Sequence, residues 1–169
     1  MRNIFGVFGI FVWAFASTTN AMVSNIIGQG RQEQVIHLVN KIVRLSLSFT
    51  FVLCLIVNIF PGLFLEVFGR DKTFIDDAVP VIRMVSLGIL CMSVATIWLN
   101  TVTGTGNTRI NLLIEIICIT IYCIYIYLII ENWRLSLVWA WASEIVYWSS
   151  LFTLSFLYIK SGRWKGKVI

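Results

Sequence analysis

Charge is what this sequence has least of. Asp, Glu, Lys and Arg make up 12% of its 169 residues, against roughly 25% in an ordinary soluble domain. A chain of this size can bury a core, but so few charges cannot cover that core against water. A free-standing soluble domain is therefore excluded. Metal and disulfide chemistry also lack their residues. The only histidine is His37, and the four cysteines, Cys54, Cys91, Cys118 and Cys123, each lie inside an apolar run. They have neither metal-ligand spacing nor the framework of a small secreted domain, and read as small buried hydrophobes. No nucleophile–base pairing or phosphate loop is present. Gly104-x-Gly106 follows a helical pattern and not a strand, so it is no dinucleotide fingerprint. No catalytic residue, metal ligand or cofactor is assigned, and enzyme chemistry has no support. The net charge of +5 forms no continuous basic face, which argues against nucleic acid as a partner.

What the sequence has is apolar length: 59% hydrophobic residues and a mean hydropathy of +0.89. A lipid bilayer accepts apolar side chains on the outside of a fold, and a spanning helix needs about 20 mostly apolar residues. Such segments occur at about 4–27, 45–60, 84–102, 110–130 and 135–159. The expected fold is an all-α integral membrane bundle of about five transmembrane helices over 1–159, with a basic tail at 160–169. Residues 32–44 repeat Val35, Ile36, Val39, Ile42 and Val43 at helical spacing and suit an amphipathic lead-in at the interface. Pro61-Gly62 ends the second span. The third helix is expected to begin near Thr73, which has capping-box spacing to Asp76, with a kink at Pro80. A second reading of residues 1–16 is a signal peptide, with Arg2, an apolar core and Ala14-Phe15-Ala16 as the cleavage site.

Loop charges set the expected orientation. With the tail inside, Arg31, Lys41, Arg44, Arg109, Lys160, Arg163, Lys165 and Lys167 are cytoplasmic. Arg2, Arg70, Lys72, Arg83 and Arg134 are outside, as are all of Glu66, Asp71, Asp76, Asp77 and Glu131. The Lys/Arg bias predicts a cytoplasmic C-terminus in the inner or plasma membrane. Five spans then place the N-terminus outside, an arrangement that calls for further helices upstream.

Ionisable residues inside spans are costly and mark functional sites by default. Glu144 lies deep in the fifth span, with Trp141, Tyr147 and Trp148 on the same face. A carboxylate among aromatic rings suits an organic cation, through charge pairing and cation–π attraction; the alternative is a carboxylate that hydrogen-bonds a neighbouring helix. Glu115 lies roughly 7–8 Å from the start of the fourth span. Asn111, Glu115 and Tyr122 form one stripe with Cys118 between them, and Thr120 falls on another face. This stripe should turn toward protein or water, and its alternative role is helix anchoring. In the first span Ser17, Asn20 and Ser24 share a face that suits helix packing or a cavity.

Three stretches resemble the MATE (multidrug and toxic compound extrusion) transporters. Val23-Ser24-Asn25-Ile26-Ile27-Gly28-Gln29-Gly30-Arg31 resembles the end of their eighth helix. Leu65-Glu66-Val67-Phe68-Gly69-Arg70-Asp71 is similar to their loop between helices nine and ten. Asn100-Thr101-Val102-Thr103-Gly104-Thr105-Gly106-Asn107-Thr108-Arg109 is similar to their turn after helix ten. The resemblance implies helices eight to twelve of a twelve-helix protein, hence an incomplete C-terminal lobe without its N-terminal lobe and helix seven. It also implies antiport of organic cations, drugs or other small amphipathic substrates against sodium or protons. The acid that many members carry in helix ten is lacking, and Met92-Ser93 occupies that region. Such a piece is expected to be inactive alone. Two other functions stand beside this one. A flippase for lipid-linked sugars would line its cavity with basic residues, which these spans lack. A small non-transporting scaffold would be monodisperse in detergent without a second lobe.

Overall fold

The computed structural model describes residues 2–61, 72–133 and 136–165. Helix α1 spans Arg2–Gly28 and is followed by a 3-10 turn at Gln32–Gln34. Helix α2 spans Val35–Ile59, α3 Lys72–Gly104 and α4 Thr108–Tyr127. The last of these widens into a π turn at Leu128–Asn132, and α5, Leu137–Lys160, completes the bundle. No strand occurs among the described residues. This is the all-α architecture expected of a chain in hydrocarbon, where each backbone N–H and C=O must be satisfied within its own segment.

Four segments are long and apolar enough to cross a membrane: Gly9–Gly28, Gln32–Ile59, Val79–Gly104 and Thr108–Asn132. The 24 residues of α5 are also long enough to cross one. Exposed apolar side chains cover the outer faces. On α4 they include Leu112, Leu113, Ile116, Ile117, Ile119 and Ile124, and on α2 Phe51, Val52 and Ile59. Such surfaces are stable against lipid and not against water.

The stretch 32–44 differs from a separate interfacial lead-in. It runs without a break into the second span, and Val35 and Val39 are fully buried in the main core. The physical reason is register. No Gly or Pro interrupts 35–59, and one stripe of Val35, Val39, Ile42, Ser46, Thr50, Cys54 and Val57 is buried along the whole helix. At about 1.5 Å per residue the segment outreaches a hydrocarbon layer of about 30 Å, so Lys41 and Arg44 lie near one end of the bundle. The α3 helix begins at Lys72 and continues through Pro80. The side chains of Thr73 and Asp76 and the loop Leu65 to Asp71 lie outside the described residues. The tail is also more ordered than its composition suggests, because 161–165 forms a turn whose Trp164 is buried.

The central element is α3, which packs against α1, α2, α4 and α5, most extensively against α5. Among the described residues α1 and α2 make no contact with α4 or α5. Two apolar clusters fill the bundle. The larger joins Val23, Ile27, Val35 and Val39 to Ala95, Trp98 and Val102, and reaches Leu151 and Ile159. The smaller holds Cys54 and Val57 against Val81, Ile82, Val85 and Ile89.

One end of the bundle collects most of the basic residues. Ser24 Oγ donates to the Gly104 carbonyl across 3.1 Å, fastening the end of α1 to the end of α3. Asn107, just before α4, hydrogen-bonds Tyr158 near the end of α5. Arg31, Lys41, Arg44, Arg109, Lys160, Arg163 and Lys165 thereby share one end with the acidic Glu33, and Glu131 lies at the other.

Candidate functional site

The polar stripe of α5 sits at the seam between the two clusters. Trp141 packs on the smaller cluster, while Tyr147 and Trp148 pack on the larger. Glu144, half-buried, falls between them. Trp148 Nε1 donates to Glu144 Oε2 across 2.9 Å, one helical turn away. The carboxylate makes no ion pair among the described residues. On the facing helix Gly88 leaves it room: a Cβ there would stand 3.1 Å from Glu144 Cβ. Met92 and Ser93 are both buried on α3, and the Ser93 hydroxyl donates to the Leu90 carbonyl across 2.8 Å.

The α4 stripe forms a chain of hydrogen bonds. Thr103 Oγ1 donates to Asn111 Oδ1 across 3.0 Å, and Asn111 Nδ2 donates to Glu115 Oε1 across 3.2 Å. Cys118 is fully buried, Asn111, Glu115 and Tyr122 are half-buried, and Thr120 is exposed. The stripe therefore faces protein along its length. Tyr122 meets Tyr147 edge-on with ring centroids 5.9 Å apart, and Tyr147 stacks edge-on to Trp148 at 4.8 Å. Through these rings the Glu115 stripe of α4 joins the Glu144 stripe of α5, which also faces α3, in one polar and aromatic strip. It offers two carboxylates, four aromatic side chains and no basic residue.

The α1 residues stand apart from that strip. Val12, Ala16, Thr19, Val23 and Ile27 form the buried face of α1, and Asn20 and Ser24 flank it, half-buried. Ser17 falls further round the helix and is exposed. At Gly104 the two helices approach most closely, since a Cβ there would lie 2.9 Å from Val23 Cβ and 3.0 Å from the Asn20 carbonyl. Ser24 and the Asn20 carbonyl thus lie against the end of α3. His37 is exposed.

Sequence patterning gives no indication of two further groups. Gly88 is one, because its neighbour Glu144 lies on a different helix. The other is the pair Asn58 and Ser86, where Asn58 Nδ2 donates to Ser86 Oγ across 2.8 Å and joins α2 to α3. Neither carries a local periodicity that points to its partner.

The sequence matches the MatE family over residues 1–128. The chain belongs to that family. Over 163 residues it is 26% identical to the "Probable multidrug resistance protein NorM" of Thermotoga maritima, an alignment that covers 96% of this chain and 34% of that protein. The chain thus spans about a third of the length of that relative. No solved structure is significantly similar to it. MatE proteins are multi-pass membrane transporters and not enzymes, in keeping with the long apolar helices here.

In this MatE chain the two motif turns do the same mechanical job. Each places a glycine at positive φ just past a helix end, Gly30 at 74° after α1 and Gly106 at 76° after α3. A left-handed residue there reverses the chain at little steric cost only if it lacks a Cβ. Around the first turn Gln29 donates to Asn25 Oδ1 and Arg31 donates to Gln29 Oε1. Around the second, Asn107 ties the turn to α5.

Proposed function

We propose that this chain forms most of the C-terminal lobe of a secondary active exporter in the cell membrane. The complete protein would move organic cations, drugs or related amphipathic compounds outward in exchange for sodium or protons. Transport would proceed by alternating access between two lobes around a mid-membrane cavity. The observation that carries the reading is the half-buried Glu144 carboxylate among Trp141, Tyr147 and Trp148, in a chain of the MatE family. Charge pairing and cation–π attraction would act together on a cation held there. The lack of Lys and Arg on the strip favours this substrate class over anionic lipid-linked sugars.

In this reading the missing partner is an N-terminal lobe with helix seven, and the chain alone does not transport. The basic end of the bundle faces the cytoplasm, in line with the Lys/Arg bias. Cysteines introduced at Lys41 and Arg109 should be labelled by an impermeant thiol reagent only in inverted vesicles.

The deciding experiment replaces Glu144 with Gln in the complete transporter that carries this segment, reconstituted in proteoliposomes. Ion-coupled export of an organic cation should fall at least about tenfold, the loss of roughly 1.4 kcal/mol of differential binding. Export at the parental rate would reduce Glu144 to a packing residue and remove the basis of the proposal.

A further inference from the structure

A groove at the basic end lies outside the strip described above. After Lys160 the chain reverses at Gly162, φ 70°, and folds back on the bundle. Trp164 is 2% exposed, and its Nε1 donates to the Ile159 carbonyl across 2.9 Å. The backbone N–H groups of Ser161 and Lys165 donate to Leu157 and Gly162 carbonyls at 2.9 and 3.0 Å. Arg163 is therefore held between two anchored residues, and its side chain is not at the end of a loose tail.

The groove, of about 400 Å³, is lined by Arg163 together with Ile110, Leu157, Tyr158 and Ser161. Its polar and apolar parts are separate. Ser161 Oγ donates to the Tyr158 carbonyl across 2.7 Å, and Tyr158 hydrogen-bonds Asn107, so both shape the wall with their hydrogen bonds already made. Arg163 makes no ion pair among the described residues. Leu157, 56% exposed, and Ile110 supply an apolar wall that continues onto the outer surface of the bundle.

We propose that this groove binds an anionic phospholipid, with the Arg163 guanidinium on the head-group phosphate and the start of an acyl chain along Leu157 and Ile110. A guanidinium presents a donor fork that matches a phosphate in bidentate fashion. Arg109 and Lys160, next in sequence to lining residues, add to the positive field, and no carboxylate among the lining residues matches the ammonium of a zwitterionic lipid. The apolar wall distinguishes a lipid from free phosphate, which would gain nothing from Leu157 and Ile110. Basic pockets between membrane helices are suited to such head groups, and one charge near the surface raises binding by roughly fivefold.

The test uses the full chain in detergent–lipid micelles with phosphatidylglycerol or phosphatidylcholine, each bearing a photoreactive acyl chain. Adducts are mapped by mass spectrometry. Phosphatidylglycerol should label 157–163 about fivefold more than phosphatidylcholine. Arg163→Gln should bring the two lipids level, Arg163→Lys should keep most of the difference, and Ser161→Asp, which sets a carboxylate in the groove, should abolish it. Shielding of Trp164 from an aqueous quencher checks that the turn is intact in each variant. Equal labelling by both lipids in the parent, an Arg163→Gln variant that still prefers phosphatidylglycerol, or full displacement by millimolar inorganic phosphate would each overturn the proposal.

Discussion

Gly88 on α3 and Glu144 on α5 face one another so closely that a methyl group on Gly88 would stand 3.1 Å from Glu144 Cβ. Gly88→Ala requires the facing helix to give by a few tenths of an ångström. Gly88→Leu drives the two helices apart and should cost about 1–3 kcal/mol, the usual range for overpacking. Pairing it with Glu144→Ala should recover part of that loss. Unfolding in mixed micelles measures both, and a Gly88→Leu variant as stable as the parent would mean the helices are not in contact at this height.

The indole of Trp148 donates the hydrogen bond that the Glu144 carboxylate accepts. Trp148→Phe keeps most of the ring and removes the donor. Leaving a partly buried carboxylate unpaired should destabilise the bundle by about 1–3 kcal/mol. The same substitution in a Glu144→Leu background should cost less, because no acceptor is then stranded. A double-mutant cycle in detergent reads the coupling, and additive losses would deny that the two side chains act as a pair.

A second close approach, at Gly104, gives a sharper test of α1 docking. Gly104→Ala puts a methyl group against Val23 and the Asn20 carbonyl, and also strains the Ser24 hydrogen bond to the same residue. The expected loss is about 1–3 kcal/mol. Val23→Ala should restore part of it, read as the temperature at which the protein aggregates in detergent.

Spin labels along α4 should report its two faces. Labels at Leu113, Ile116, Ile117 and Ile124, all exposed, should relax strongly with oxygen dissolved in lipid. Labels at Glu115, Cys118 and Tyr122 should be protected. Oxygen accessibility with no helical period would contradict a stripe turned toward α5.

The five apolar stretches were legible because lipid demands a minimum run of hydrophobic side chains, whatever the tertiary contacts. The Asn111, Glu115, Cys118 and Tyr122 stripe was equally legible, since a period near 3.6 is a local property of α4. The edge of α2 was not. Polar side chains such as His37, Lys41 and Arg44 lower the hydropathy of 32–44, yet the buried stripe passes through it in register to Val57. Gly88 opposite Glu144, and Asn58 with Ser86, depend on how separate helices dock, which no spacing within one helix encodes. Trp164 left a faint trace, a large apolar residue just past a helix-ending glycine, a pattern that often folds back on the last turn.

Because among the described residues α3 alone links the α1–α2 pair to the α4–α5 pair, the bundle behaves as two hairpins hung on a single mast. During synthesis the first hairpin emerges before the third helix on which it packs, and the last pair docks onto a mast already standing. A chain cut between residues 61 and 72 should therefore yield two polypeptides that find each other again when made in the same cell, since α2 ends before the cut and α3 begins after it.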